Sequence, residues 1–183
     1  VRLRSATYVA DTRTVLLTTP VLQPGHYELQ ISRVASTDGL TLPATYDAAF
    51  DAVSALSTAV DIEFSLTRAD RSDQTVSYDV VVTNLGDRNL LLPLVLMLDP
   101  ADGYAGVPQD AAGLTPGGQW LIDLSSSLAA GAALAPGEST LGHTVTIHNP
   151  GDYSIHYTAW FSAQQGANQA PVFDSQPLES ATV

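Results

Sequence analysis

Alternation of apolar and polar residues with a period of two is the feature that most restricts what this chain can fold into. Val76, Tyr78, Val80 and Val82 alternate with Ser77, Asp79, Val81 and Thr83. Ile62, Phe64 and Leu66 alternate with Glu63, Ser65 and Thr67, and Val145 and Ile147 with Thr144, Thr146 and His148. That period places one face of a strand in a core and the other in water. Turn signals separate the runs at Gln23-Pro24-Gly25, Asp38-Gly39, Leu85-Gly86-Asp87, Pro116-Gly117-Gly118, Ala135-Pro136-Gly137 and Asn149-Pro150-Gly151. Many short strands punctuated in this way predict an all-β, antiparallel sandwich. Two segments depart from clean alternation. Leu90–Leu98 is apolar at both parities and interrupted by Pro93. It is expected to be a strand buried on both faces, with the proline at a bulge or an edge. Asp47–Val60 is rich in alanine and is expected to connect two domains, with a helical turn as the alternative.

Composition narrows the function classes. The chain has 183 residues, is 45% hydrophobic and carries a formal charge of −12. The apolar content supports a buried core. The charge opposes nucleic-acid binding, which needs clustered Lys and Arg; all seven basic residues are Arg. Cysteine is absent, which excludes disulfides, thiol catalysis and cysteine-ligated metals. No apolar run approaches the roughly 20 residues of a helical membrane span. The chain opens on Val1 and closes on Ala181-Thr182-Val183, and the expectation is a segment of a longer polypeptide.

The chain also repeats itself. Gln23-Pro24-Gly25-His26-Tyr27 leads into an alternating strand, and so does Asn149-Pro150-Gly151-Asp152-Tyr153. A Tyr at the start of a late sandwich strand can fill the end of the core while its hydroxyl bonds upstream backbone, as in a tyrosine corner. Tyr27 and Tyr153 are therefore expected to be structural, one in each of two sandwiches. Some 90 strand-rich residues separate Val60 from Tyr153, enough for a complete sandwich, whereas only 26 residues precede Tyr27. The expected organisation is an incomplete sandwich over 1–50, a connector over 51–59, a complete sandwich over 60–164, and a linker with the first strand of a further repeat over 165–183. Residues 1–50 fall near the size at which a core alone rarely sustains a fold. They are expected to be covered by neighbouring domains of the same polypeptide or by another chain.

These motifs resemble known families. Thr14–Thr18, Leu22-Gln23-Pro24-Gly25-His26-Tyr27 and Val34–Leu42 are similar to the C-terminal half of a bacterial Ig-like domain of S-layer and giant surface proteins. The Asp38-Gly39-Leu40 tail matches that pattern imperfectly. Tyr78–Gly86, Leu92–Leu96 and Leu134–Ser139 resemble a second Ig-like type found in bacterial exoproteins. Asn168-Gln169-Ala170-Pro171-Val172-Phe173-Asp174-Ser175 is similar to the opening of a cadherin-like repeat. The resemblance implies tandem Ig-like modules of a large extracellular or cell-surface protein, and it transfers no catalytic residue.

The residues themselves offer little chemistry. The four histidines are His26, His143, His148 and His156, and no G-x-S-x-G or HExxH pattern accompanies them. Glu63, Glu138, Asp79 and Asp123 are acidic, but nothing pairs two of them across a cleft as a glycosidase requires. No catalytic or cofactor-binding residue is expected. Calcium, an oxygen-ligated cation, has weak candidates in Asp99, Asp102, Asp70 and Asp73. Trp160 and Trp120 are candidate ligand contacts, Trp160 because regular alternation places it opposite Tyr157, Ala159 and Phe161. The functional expectation is a non-catalytic structural or adhesive module whose partners include a glycan or surface receptor. The alternatives are a carbohydrate-binding accessory domain of a secreted enzyme and a filament subunit completed by strand donation.

Overall fold

The computed structural model describes residues 3–9, 14–33, 35, 39, 41, 45–100, 106–128, 133–152 and 154–167. The strands, in chain order, are β1 Ser5–Val9, β2 Thr14–Thr18, β3 Gly25–Ile31, β4 Tyr46–Ala52, β5 Ser54–Ala55, β6 Val60–Asp70 and β7 Thr75–Asn84. Then follow β8 Leu90–Pro100, β9 Val107–Pro108, β10 Gly113–Leu114, β11 Trp120–Asp123, β12 Ala133–Leu134, β13 His143–His148 and β14 Tyr157–Gln165. One 3-10 turn, Ser125–Ser127, is the sole helical element among the described residues.

All pairings between these strands are antiparallel. One sheet runs β10-β11-β8-β14-β5, with β12 also on β8, and a second runs β6-β7-β13-β9. Alternation along the strands gives each sheet an apolar inner face, and the two faces share one core. Val80 and Val82 on β7 and Val145 and Ile147 on β13 come from one sheet. Leu94, Leu96 and Leu98 on β8, Ile122 on β11 and Phe161 on β14 come from the other. Leu96 pairs with both Ile122 and Phe161, so a fully buried apolar row crosses three adjacent strands. The result is a sandwich-like all-β fold.

β8 is not buried on both faces, as its composition suggested. Its inner leucines are covered, whereas Val95 and Met97 are half-buried and Leu92 is exposed. Pro93 sits where the ladder is interrupted. β12 pairs with Leu90 and Leu91, β11 begins at Val95, and the β14 register shifts between Ser162 and Gln164. An imide without an N–H is tolerated at such a break.

The alanine-rich segment is strand rather than coil or helical turn. β4 pairs with β3 in continuous register from Gly25–Ala52 to Ile31–Tyr46, and β5 joins β14 after the single residue Val53. Inter-strand hydrogen bonds along an alternating face outweigh the weak helical preference of alanine. β1 and β2 form a second hairpin. Neither hairpin joins the two larger sheets.

Two polar devices fix the sandwich. Asn84 is fully buried at an inward position of β7. Its amide nitrogen donates to the Arg88 and Leu134 carbonyls at 2.8 and 2.9 Å, and its side-chain oxygen accepts from the Gly86 N–H at 3.0 Å. One side chain thereby satisfies the β7–β8 turn and ties it to β12. On the outer face, β6 bulges between Ser65 and Arg68, with Leu66 at φ 50°. Beyond the bulge, the Arg68 guanidinium reaches both Asp79 oxygens, and Thr144 donates to the same carboxylate at 2.7 Å.

Replacing Asn84 with Ala leaves two buried carbonyls without their donor, and should lower stability by about 2–3 kcal/mol in chemical denaturation; an unchanged midpoint would show that water replaces the amide. The Asp79 carboxyl is held below its ordinary value by the hydrogen bond from Arg68, then by that from Thr144. A depressed folded value stabilises fully above the unfolded aspartate range and is lost as pH falls through the folded value. The urea midpoint should therefore drop on the acid side of pH 4, and Asp79→Asn should shrink that drop.

Candidate functional site

The sequence-derived candidates fall into separate places. Tyr27 begins β3 and donates its hydroxyl to the Gln23 carbonyl at 2.8 Å, across the preceding turn. Its ring stacks on Phe50, with centroids 5.6 Å apart. Tyr153 lies outside the described residues, as do Asp102 and Asn168–Ser175. A different tyrosine ties the neighbouring strand: Tyr157 donates to the Gly106 carbonyl at 2.9 Å. Gly106 has φ 74°, and a Cβ there would stand 2.5 Å from Ile147 Cγ2, so the loop can pass this close to β13 only as glycine.

Asp70 and Asp73 share the β6–β7 turn, while Asp99 lies at the end of β8 opposite Thr158. Asp70 spends one carboxylate oxygen on its own turn, accepting from Ser72 N, Ser72 Oγ and Asp73 N at 2.9, 2.6 and 3.2 Å. Those bonds, the Ser72 hydroxyl first, hold its carboxyl below the ordinary range. Among the described residues no three His, Asp or Glu converge as ligands of one ion.

The two tryptophans separate. Trp120 pairs with Leu98 and packs, half-buried, against the core. Trp160 pairs with Met97, which in turn pairs with Leu121. Because the inner row is Ile122–Leu96–Phe161, the row one residue along faces outward. Leu121, Met97 and Trp160 thus form an apolar stripe on the solvent side of the sheet, all three half-buried.

One constellation was not legible in the sequence. His143 Nε2 lies 3.1 Å from an Asp110 oxygen, and its Nδ1 lies 3.3 Å from Ser127 Oγ. The residue types are those of a hydrolase triad, but a nucleophilic Ser also needs access to substrate and donors for an oxyanion. Ser127 is 5% exposed, and its carbonyl is held by the Leu141 N–H at 2.7 Å. The trio joins three backbone segments: the loop after β9, the 3-10 turn and β13. His148 lies at the far end of β13, and His156 bonds Ser154 Oγ at 2.9 Å, so neither joins His143. His143 opens an alternating strand, but Asp110 and Ser127 come from segments without periodic pattern, so no spacing announces the trio.

The two N-terminal hairpins expose several large apolar side chains among the described residues. Among the described residues, the first buried side chain is Leu56. Tyr8, Val15, Tyr46 and Phe50 are 63, 57, 60 and 43% exposed. Leu3, Leu17 and Leu22 face Tyr27, Leu29 and Phe50 across an open cleft of about 460 Å³.

Comparison with protein-family models, with curated proteins and with solved structures finds no match to this chain.

Ser127→Ala removes one hydrogen bond in a closed site and should lower stability by about 1 kcal/mol. His143→Ala should cost more, because the Asp110 contact and the ring packing go with it. Equal melting temperatures for all three proteins would show that the trio holds nothing together.

Proposed function

We propose that this chain is a non-catalytic structural and adhesive module of a large bacterial extracellular or cell-surface protein, built from immunoglobulin-like sandwiches. One observation carries this reading: the contrast between a closed core and an open one. Every buried apolar side chain described lies between Leu56 and Ala163, and no buried side-chain polar atom among the described residues lacks a partner. The apolar faces of residues 1–50 stay uncovered, which suits a segment completed by a neighbouring domain or another chain. Polar side chains in the sandwich interior, such as Asn84 and Thr140, are engaged in holding backbone. An acidic, lysine-free and cysteine-free composition accords with an extracellular setting. One Asp70 carboxylate oxygen is engaged within its own turn.

A second reading, a carbohydrate-binding accessory domain, is favoured by the stripe Leu121–Met97–Trp160, since an outward indole on a flat sheet can stack on a sugar ring. The test uses the purified chain. It should show only background rates on ester, peptide and glycoside substrates, unchanged in Ser127→Ala and His143→Ala, and no glycan-array signal that depends on Trp160. Turnover abolished by either of the first two substitutions would overturn the non-catalytic reading. A glycan signal lost in Trp160→Ala would install the second.

A further inference from the structure

The β3–β4 hairpin has two faces of opposite chemistry and an open edge. On one face the register sets Tyr27 beside Phe50, Leu29 beside Ala48 and Ile31 beside Tyr46; of these, Tyr27, Leu29 and Phe50 line the cleft of about 460 Å³. On the other, Asp47 and Asp51 stand on β4 with Glu28 on β3. Neither aspartate has a Lys or Arg as cross-strand partner: Gln30 donates to Asp47 at 3.2 Å, and His26 lies 3.0 Å from Asp51. Among the described strands β4 has one partner, β3. Its other edge presents backbone donors and acceptors along seven residues, which is the template for strand addition.

We infer that the free edge of β4 accepts an extended strand from another protein, with apolar residues at alternate positions and Lys or Arg at two positions four apart. The inference rests on the reading that residues 1–50 are covered by a partner, and it adds the edge and the charge. A strand laid on β4 must continue the alternation of the sheet. Its apolar side chains would stand beside Tyr46 and Phe50, covering rings that are now exposed. Its other side chains would stand beside Asp47 and Asp51, where like charge is disfavoured and opposite charge favoured. A second copy of this chain is a poor donor: it has no Lys, only seven Arg, and a net charge of −12.

The probes are two nine-residue peptides with Val at alternate positions. One carries Arg at two positions four apart, the other Glu at the same positions. Binding to the full 183-residue chain is read by fluorescence anisotropy, and the site by amide hydrogen exchange. The Arg peptide should bind at least about tenfold tighter than the Glu peptide, with a preference that weakens at high salt, and should slow exchange of the 46–52 amides. Asp47→Lys with Asp51→Lys should reverse the preference. Asp47→Asn with Asp51→Asn, a milder change, should abolish it. Equal binding of both peptides, a preference unmoved by either double variant, protection confined to other strands, or no binding at all would overturn the inference. None of these outcomes touches the hydrolysis rates that test the non-catalytic reading.

Discussion

Burial of the inner face of β8 is the constraint from which the sandwich follows. Leu96 has Ile122 on one side and Phe161 on the other, and all three are removed from water. Full burial of such side chains contributes roughly 1.5–3 kcal/mol each, and it is available only if a second sheet closes over the row. β7 and β13 supply that cover with Val80, Val82, Val145 and Ile147. The ends must then be closed without stranding backbone groups. Asn84 does this at one end, by bonding two carbonyls and an N–H that the β7–β8 turn and β12 would otherwise leave unpaired. At β13, the close passage of Gly106 and the Tyr157 hydroxyl on its carbonyl tie the loop before β9 to β14.

The N-terminal hairpins lack such a constraint. Each is a two-stranded ribbon, and an isolated hairpin is at best marginally stable in water. Their inner faces meet across a cleft that their own side chains do not fill. In chemistry they differ from the sandwich: Tyr8, Val15, Tyr46 and Phe50 are exposed, and Glu28, Asp47 and Asp51 stand on the other face of β3–β4. A ligand that bound only the folded hairpins would stabilise them by mass action.

What the sequence alone determined is the local grammar: the all-β class, the inward parity of β7 and β13, and the turns between strands. These depend on side-chain alternation and on Pro-Gly backbone preferences, which act over a few residues. The tertiary structure alone decided which strands pair and what meets between loops. The segment Tyr46–Ala55 became strand because β3 and β14 offer it edges, a fact that no propensity of alanine contains. Trp120 and Trp160 parted to opposite faces because their strands join β8 in a register set by Leu96. Asp110, Ser127 and His143 came together because the loop after β9, the 3-10 turn and the start of β13 are brought side by side, and such proximity is a property of the packed chain rather than of any stretch of it.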